Sequence, residues 1–346
     1  MTQKLHLSIV KFKVKNNLLS FLILVIFASS LTSCSYNNSG VEQVEFRSSS
    51  HGIVKSNVKM DLLKLSEHVY YVQGTSGTAT ENEGFISNAA AIITKKGIVI
   101  FDALGTSSLA SLFVEKLRKI SSAPIKKVIV SHYHADHIYG LSIFKDLGAE
   151  IIAPLGYSDY LDLPISNQRL EERRVSLAPW VNESTKILKP DTVIETKTSF
   201  SLGNIDFEIN YLGRAHSDGD LTLLVKQDKV LLSGDLIFEG RIPFTGSANT
   251  KHWLELLEQI DNSSLHALLP GHGKVAKNPN QAIKSTLNYL KTVRSKMKFA
   301  VDEMMTFEEA YDSVDWSEFE DIPAFKSAHR INVFGIYLSL EEESME

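Results

Sequence analysis

With a single cysteine, Cys34, in 346 residues, the chain can form no intramolecular disulfide, and beyond that position it offers no thiolate to a metal ion. Clusters of lysine and arginine are missing too. The formal net charge is −5, and the first 33 residues hold Lys4, Lys11, Lys13 and Lys15 but no acidic residue, so the remainder is more acidic still. An acidic body without basic clusters is not built to bind phosphate backbones, and no nucleic-acid partner is expected. No internal repeat is evident.

An apolar content of 43% with 22% charged residues is ordinary for a globular protein. The length permits one large domain or two modest ones. The four lysines precede an apolar run from Leu18 to Ala28, too short for a comfortable membrane span and typical of a targeting segment. Leu31-Thr32-Ser33-Cys34 resembles the lipobox of bacterial lipoproteins, whose cysteine carries the lipid. The expectation is a signal peptide over 1–33 and a lipid anchor at Cys34, which places the protein in the bacterial envelope. Ser35, rather than Asp, favours an outer membrane facing the periplasm if the cell has two membranes. A plain N-terminal membrane anchor is the alternative. Residues 34–59, rich in Ser, Asn and Gly, read as a flexible tether.

The folded body is expected from Met60. Val69 to Val72, Ala89 to Thr94 and Gly97 to Phe101 read as strands, Ser107 to Ile120 as a helix, and Ile125 to Val130 as a buried strand. Strands with interleaved helices imply an α/β layered domain. Phe200 to Leu202 and Ile205 to Tyr211 form a hairpin through Gly203-Asn204. Glu171-Glu172-Arg173-Arg174 is read as the solvated side of a surface helix rather than a ligand-facing patch.

Directly after the strand ending at Val130 come His132, His134, Asp136 and His137. Residues two apart on extended chain point the same way, so His132 and His134 can converge on one metal ion, while Asp136 and His137, in the turn that follows, can face a second. Imidazole and carboxylate suit zinc in a site that keeps open positions. The layout recurs at His216, at Asp235 after Val230 to Ser233, and at His272 after His266 to Leu269. Four strand ends each followed by His or Asp suggest one rim of a sheet loaded with ligands.

This series resembles the metallo-β-lactamase fold superfamily of hydrolases over roughly Met60 to Val275, leaving 276–346 as a C-terminal helical extension. Within it the pattern from Gly234 to Gly246 is most similar to the SoxH-like or quinoprotein-relay zinc metallohydrolases, and an aspartate at 235 fits the glyoxalase II pattern rather than that of lactamases with a cysteine ligand. The resemblance implies a four-layer αββα sandwich. It implies two Zn2+ ions, with iron or manganese as alternatives: His132, His134 and His216 on the first, Asp136, His137 and His272 on the second, Asp235 between them, and Asp102 supporting from behind.

The implied chemistry is hydrolysis of a small-molecule ester, thioester or amide by a metal-bound hydroxide that Asp136 orients. Alternatives are a β-lactamase, an iron-dependent sulfur or redox enzyme on the same scaffold, and a tethered binding protein with a vestigial site. Arg241, on a glycine-flanked loop, is the candidate for a substrate carboxylate, or else ties its loop to a neighbouring acid. Tyr139, Arg214, Trp253 and Phe244 are further candidates for the pocket wall. In the last helix Ile331, Phe334, Tyr337 and Leu338 are expected to pack on the core.

Overall fold

The structure, a computed structural model, describes residues 52–246, 248–260 and 262–345. Cys34 and the apolar segment before it lie outside the described residues. The first sheet holds β1 (Leu63–Lys64), β2 (Val69–Val72), β3 (Ala89–Thr94), β4 (Gly97–Phe101), β5 (Ile125–Ile129), β6 (Glu150–Pro154) and β7 (Thr192–Ile194), in that spatial order. Pairing is antiparallel from β1 to β4 and parallel from β4 to β7. The second sheet runs β12 (Ala267–Gly273), β11 (Val230–Glu239), β10 (Asp220–Val225), β9 (Ile205–Gly213), β8 (Thr198–Leu202), with only β11 and β12 parallel.

The helices are α1 (Ser107–Arg118), α2 (Ala135–Ile138), α3 (Leu141–Asp146), α4 (Leu155–Asp162), α5 (Pro164–Ser176), α6 (Thr250–Gln259), α7 (Pro279–Asp302), α8 (Phe307–Asp312), α9 (Ser317–Glu320) and α10 (Phe325–Met345). Three apolar cores separate four layers. Because side chains alternate along a strand, β4 sends Ile98 and Ile100 toward α1 and α3, and Val99 and Phe101 into the space between the sheets. There they meet Leu221, Leu223 and Leu232 of the second sheet, while Leu231 turns out toward α6, α7 and α10. Strands buried on both faces read as continuous apolar runs, as these do. The expected αββα sandwich with its helical extension is the fold found.

Two expectations change. Residues 52–59, assigned to the tether, pack on the body: Ser56 is buried, Ile53 and Val58 touch the first core, and the Gly52 carbonyl accepts from Asn182 Nδ2 at 2.8 Å. On α10 the buried face is Ala328, His329, Asn332, Val333, Ile336, Tyr337 and Leu340, whereas Ile331, Phe334 and Leu338 are exposed. The helix is apolar around much of its circumference, so its periodicity alone does not orient it.

Candidate metal centre

The ligand candidates come from both sheets, not from one rim. The β5 end delivers His132 and His134, and Asp136 and His137 occupy the first turn of α2 rather than the turn before it. From the facing sheet come His216, in the β9–β10 connection, and Asp235 and His272, which lie inside β11 and β12. Asp235 was expected beyond its strand. The strand continues because the β11–β12 register slips on either side of Gly234, which sits at φ +52°, a value a glycine adopts without a Cβ clash. Gly271 opposite leaves the carboxylate its space, since a Cβ there would lie 2.0 Å from Asp235 Oδ1.

Together these residues form two groups: His132, His134, His216 and Asp235, then Asp136, His137 and His272, the donor atoms of each group lying within 4.8 Å of one another. His134 Nδ1 is 3.0 Å from Nε2 of both His132 and His216. Asp235 stands between the groups, its Oδ2 at 3.4 Å from His216 Nε2 and 3.3 Å from His272 Nε2. Asp136 Oδ2 is 3.1 Å from His272 Nε2 and 3.5 Å from His137 Nε2.

Hydrogen bonds behind the rings set which nitrogen faces inward. His137 Nδ1 and Ser131 Oγ both donate to Asp102 Oδ2 at 2.8 Å, and the Ser131 amide donates to Oδ1 at 2.7 Å. Ser131 Oγ is also 2.9 Å from His132 Nδ1, so Asp102 orients two of the histidines. His272 Nδ1 donates to the Ile86 carbonyl at 2.7 Å. Asn88 holds this corner: its Nδ2 donates to the carbonyls of Pro270 and Gly273, and its amide to that of Gly271. Asp220 fixes the His216 turn by accepting from the amides of Ala215 and Ser217 and from Ser217 Oγ. Burial raises Asp220 to about 7, against those bonds. Ser131, Asn88 and Asp220 were missed in the sequence, where single polar residues carry no periodic signal.

Burial, and then mutual repulsion among the rings, holds His132 well below its ordinary value. Burial brings His134 to about 3 and His216 to about 4. For His137 burial acts downward, but the carboxylates of Asp136, Asp102 and Asp235 outweigh it and push the ring up to about 10. Asp136 and Asp235 are held below the usual carboxylate range because their histidine neighbours overcome burial.

A divalent cation fits this donor set. Zn–N bonds of about 2.0–2.1 Å at tetrahedral angles place ligand nitrogens roughly 3.3 Å apart, close to the separations among the three neutral imidazoles. His137 Nε2 and Asp235 Oδ1 are buried without a hydrogen-bond partner, as atoms aimed at a cation would be. Nitrogen and carboxylate donors without sulfur suit zinc, iron or manganese.

The centre floors a cavity of about 580 Å³ that Arg241 and Phe244 also line. Arg241 Nη1 lies 3.2 Å from His272 Nδ1. Tyr139, Trp253 and Arg214 do not line it. Tyr139 and Trp253 are fully buried, with Trp253 Nε1 donating to the Leu236 carbonyl and its ring 5.4 Å from that of His216. Arg214 pairs with Asp218 at 2.9 Å. Conversely, Arg169, Glu172 and Arg173 face the cavity, so α5 is not merely a solvated helix. Like charges at i and i+4 disfavour an isolated helix, and that spacing was the readable signal. Ser327 and Ala328, at the start of α10, close one side.

The family profile described as "Metallo-beta-lactamase superfamily" matches residues 82–272, and the chain belongs to this superfamily of metal-dependent hydrolases. A "Metallo-beta-lactamase type 2" of Bacillus sp. (strain 170) is 23% identical over 254 residues, covering 72% of this chain and 87% of that protein. The "Acyl-coenzyme A thioesterase MBLAC2" of Gallus gallus is 26% identical over 157 residues, 42% of this chain and 55% of that protein. Among solved structures, the sec-alkylsulfatase Pisa1 from Pseudomonas sp. superposes with a TM-score of 0.65 at 15% identity, over 81% of this chain and 50% of its own, which is a likeness of fold.

Proposed function

We propose that this protein is a dinuclear zinc hydrolase that cleaves an ester, thioester or amide, and that a lipid at Cys34 tethers it in the cell envelope. The observation that carries the reading is Asp235 Oδ2, set 3.3–3.4 Å from a histidine of each donor group, His216 and His272, as a carboxylate between two cations would be. Bound there, divalent cations would polarise the substrate's carbonyl and lower the pKa of water. The protein supplies the rest. Asp136, which lines the cavity, orients the attacking water. Asp102, through Ser131 and His137, keeps the imidazole nitrogens aimed inward. Phe244 stands beside His134 and His216 at ring separations of 6.2 and 6.5 Å and gives the cavity an apolar wall.

The likeness to β-lactamases over most of their length supports lactam cleavage as the second reading, and the likeness to a thioesterase supports the first. Metal analysis of the purified protein, with turnover of nitrocefin against acyl thioesters, separates them. Two zinc ions per chain and thioester turnover abolished by Asp136→Ala are expected. Full activity in that variant with both metals bound would overturn the assignment. Fatty-acid labelling lost in Cys34→Ala tests the anchor.

A further inference from the structure

One helical turn apart on α5, Arg169 and Arg173 project from the same face into the cavity that holds the metal centre. Their surroundings differ from those of the arginine beside them. Arg174 is engaged by Glu171 at 2.6 Å and by the carbonyls of Asn182 and Thr185 at 3.2 Å. Arg173 makes no side-chain hydrogen bond or ion pair among the described residues, though it is half-buried. Arg169 lies over the Tyr160 ring at 5.7 Å. Tyr160 is stacked on Tyr133 at 4.3 Å, and Tyr133 packs against His134 at 5.2 Å. A buried aromatic stack thus runs from a guanidinium to a metal-ligand candidate, with the Tyr133 hydroxyl already committed to Asp218 at 2.9 Å.

Among the described residues none of the cavity's acids forms an ion pair with either guanidinium. Asp136 and Asp235 belong to the metal centre, and Glu172 accepts from Gln168 Nε2 at 3.0 Å. Two guanidinium groups at one wall, one of them without an ion pair, make a site suited to an anion. Arg241 is distinct from this pair, since it sits at the reacting centre beside His272 on a loop from the other sheet.

We propose that Arg169 and Arg173 form an oxyanion-binding site for the substrate's remote end, so that the preferred substrate is an acyl compound carrying a carboxylate or phosphate away from the bond that is cleaved. This rests on the hydrolase reading and specifies its substrate class. Guanidinium groups bind planar carboxylates and phosphates through paired N–H donors, and the buried Tyr133–Tyr160 stack behind the cavity wall holds Arg169 in place. A cavity of about 580 Å³ is of the size that holds a small-molecule substrate.

The test uses thioesters that share one acyl group and differ only in a tail ending in methyl, carboxylate, phosphate or trimethylammonium. Wild type is expected to favour an anionic over the methyl tail by about tenfold or more in kcat/KM, chiefly through KM, as a charge-assisted hydrogen bond warrants. The carboxylate and phosphate arms show which anion the site prefers. In Arg173→Ala the anionic-to-methyl ratio should fall toward one, and in Arg173→Glu the trimethylammonium tail should overtake the anionic ones. Equal kcat/KM for all tails in wild type, or a ratio unchanged in Arg173→Ala, overturns the proposal. Calorimetry with non-cleavable thioethers bearing the same tails gives a second readout. If no thioester is turned over, the thioesterase form of the hydrolase reading fails on its own, while anion-dependent thioether binding lost in Arg173→Ala still supports the site and tail-independent binding overturns it.

Discussion

Asp102 and His137 form a fully enclosed pair, with Oδ2 2.8 Å from Nδ1 and neither side chain reaching solvent. Asp102 adopts φ +61°, in the left-handed region that aspartate tolerates better than most residues, and so can turn back from the end of β4 toward β5. Replacing Asp102 with Asn removes the charge that fixes the His137 proton on Nδ1. Metal affinity is expected to fall about 10- to 100-fold, as for other partners that orient ligands. Competition with a chelating dye measures it, and unchanged affinity would deny Asp102 this part.

Gly271→Ala probes the room left for Asp235. The added Cβ would fall 2.0 Å from Oδ1, so either the carboxylate leaves its place between the two donor groups or β12 shifts. Metal binding weaker by about tenfold or more is expected, with far-ultraviolet circular dichroism unchanged. Full metal content at wild-type affinity would show that the carboxylate can move without consequence.

The extension should matter to the active-site loop through Asn332. This buried amide donates to the Pro243 carbonyl at 2.6 Å and to the Tyr289 hydroxyl at 3.0 Å, and it accepts from the Thr245 amide at 3.0 Å. These bonds flank Phe244 and follow Arg241. Asn332→Ala should cost about 1–3 kcal/mol of stability by leaving buried groups unpaired, and it should raise KM more than it lowers kcat. Denaturant melts and steady-state kinetics together check both halves.

His329 predicts a pH dependence unrelated to the metals. It is enclosed by Phe325, Trp316, Phe319 and Tyr311, with Nδ1 3.1 Å from the Tyr289 hydroxyl, and burial lowers it to about 4. The unfolded chain, with a value near 6.5, binds the proton more readily, so stability is complete above about pH 6.5 and declines as pH falls toward 4. His329→Phe should flatten this part of the acid limb in a comparison of melting temperatures, and an identical limb in both proteins would refute the contribution.

Several features were legible in the chain because they depend on spacing alone. The continuous apolar run at β4 requires a sheet covered on two faces. The i, i+2 spacing of His132 and His134 after a buried strand sends both side chains one way, and the seven donors in order carry the family resemblance. Tertiary structure alone decided the rest. Asp235 proved to lie within β11 because the slip at Gly234 is a property of the pairing with β12, which no local pattern encodes. Tyr139 and Trp253 went to the core and Arg169 and Arg173 to the cavity, since a helix period marks a stripe of residues but not what covers it. Each donor group is complete only when two sheets, separated by much of the chain, close over a common apolar layer, and that closure is the work of nonlocal burial rather than of any motif.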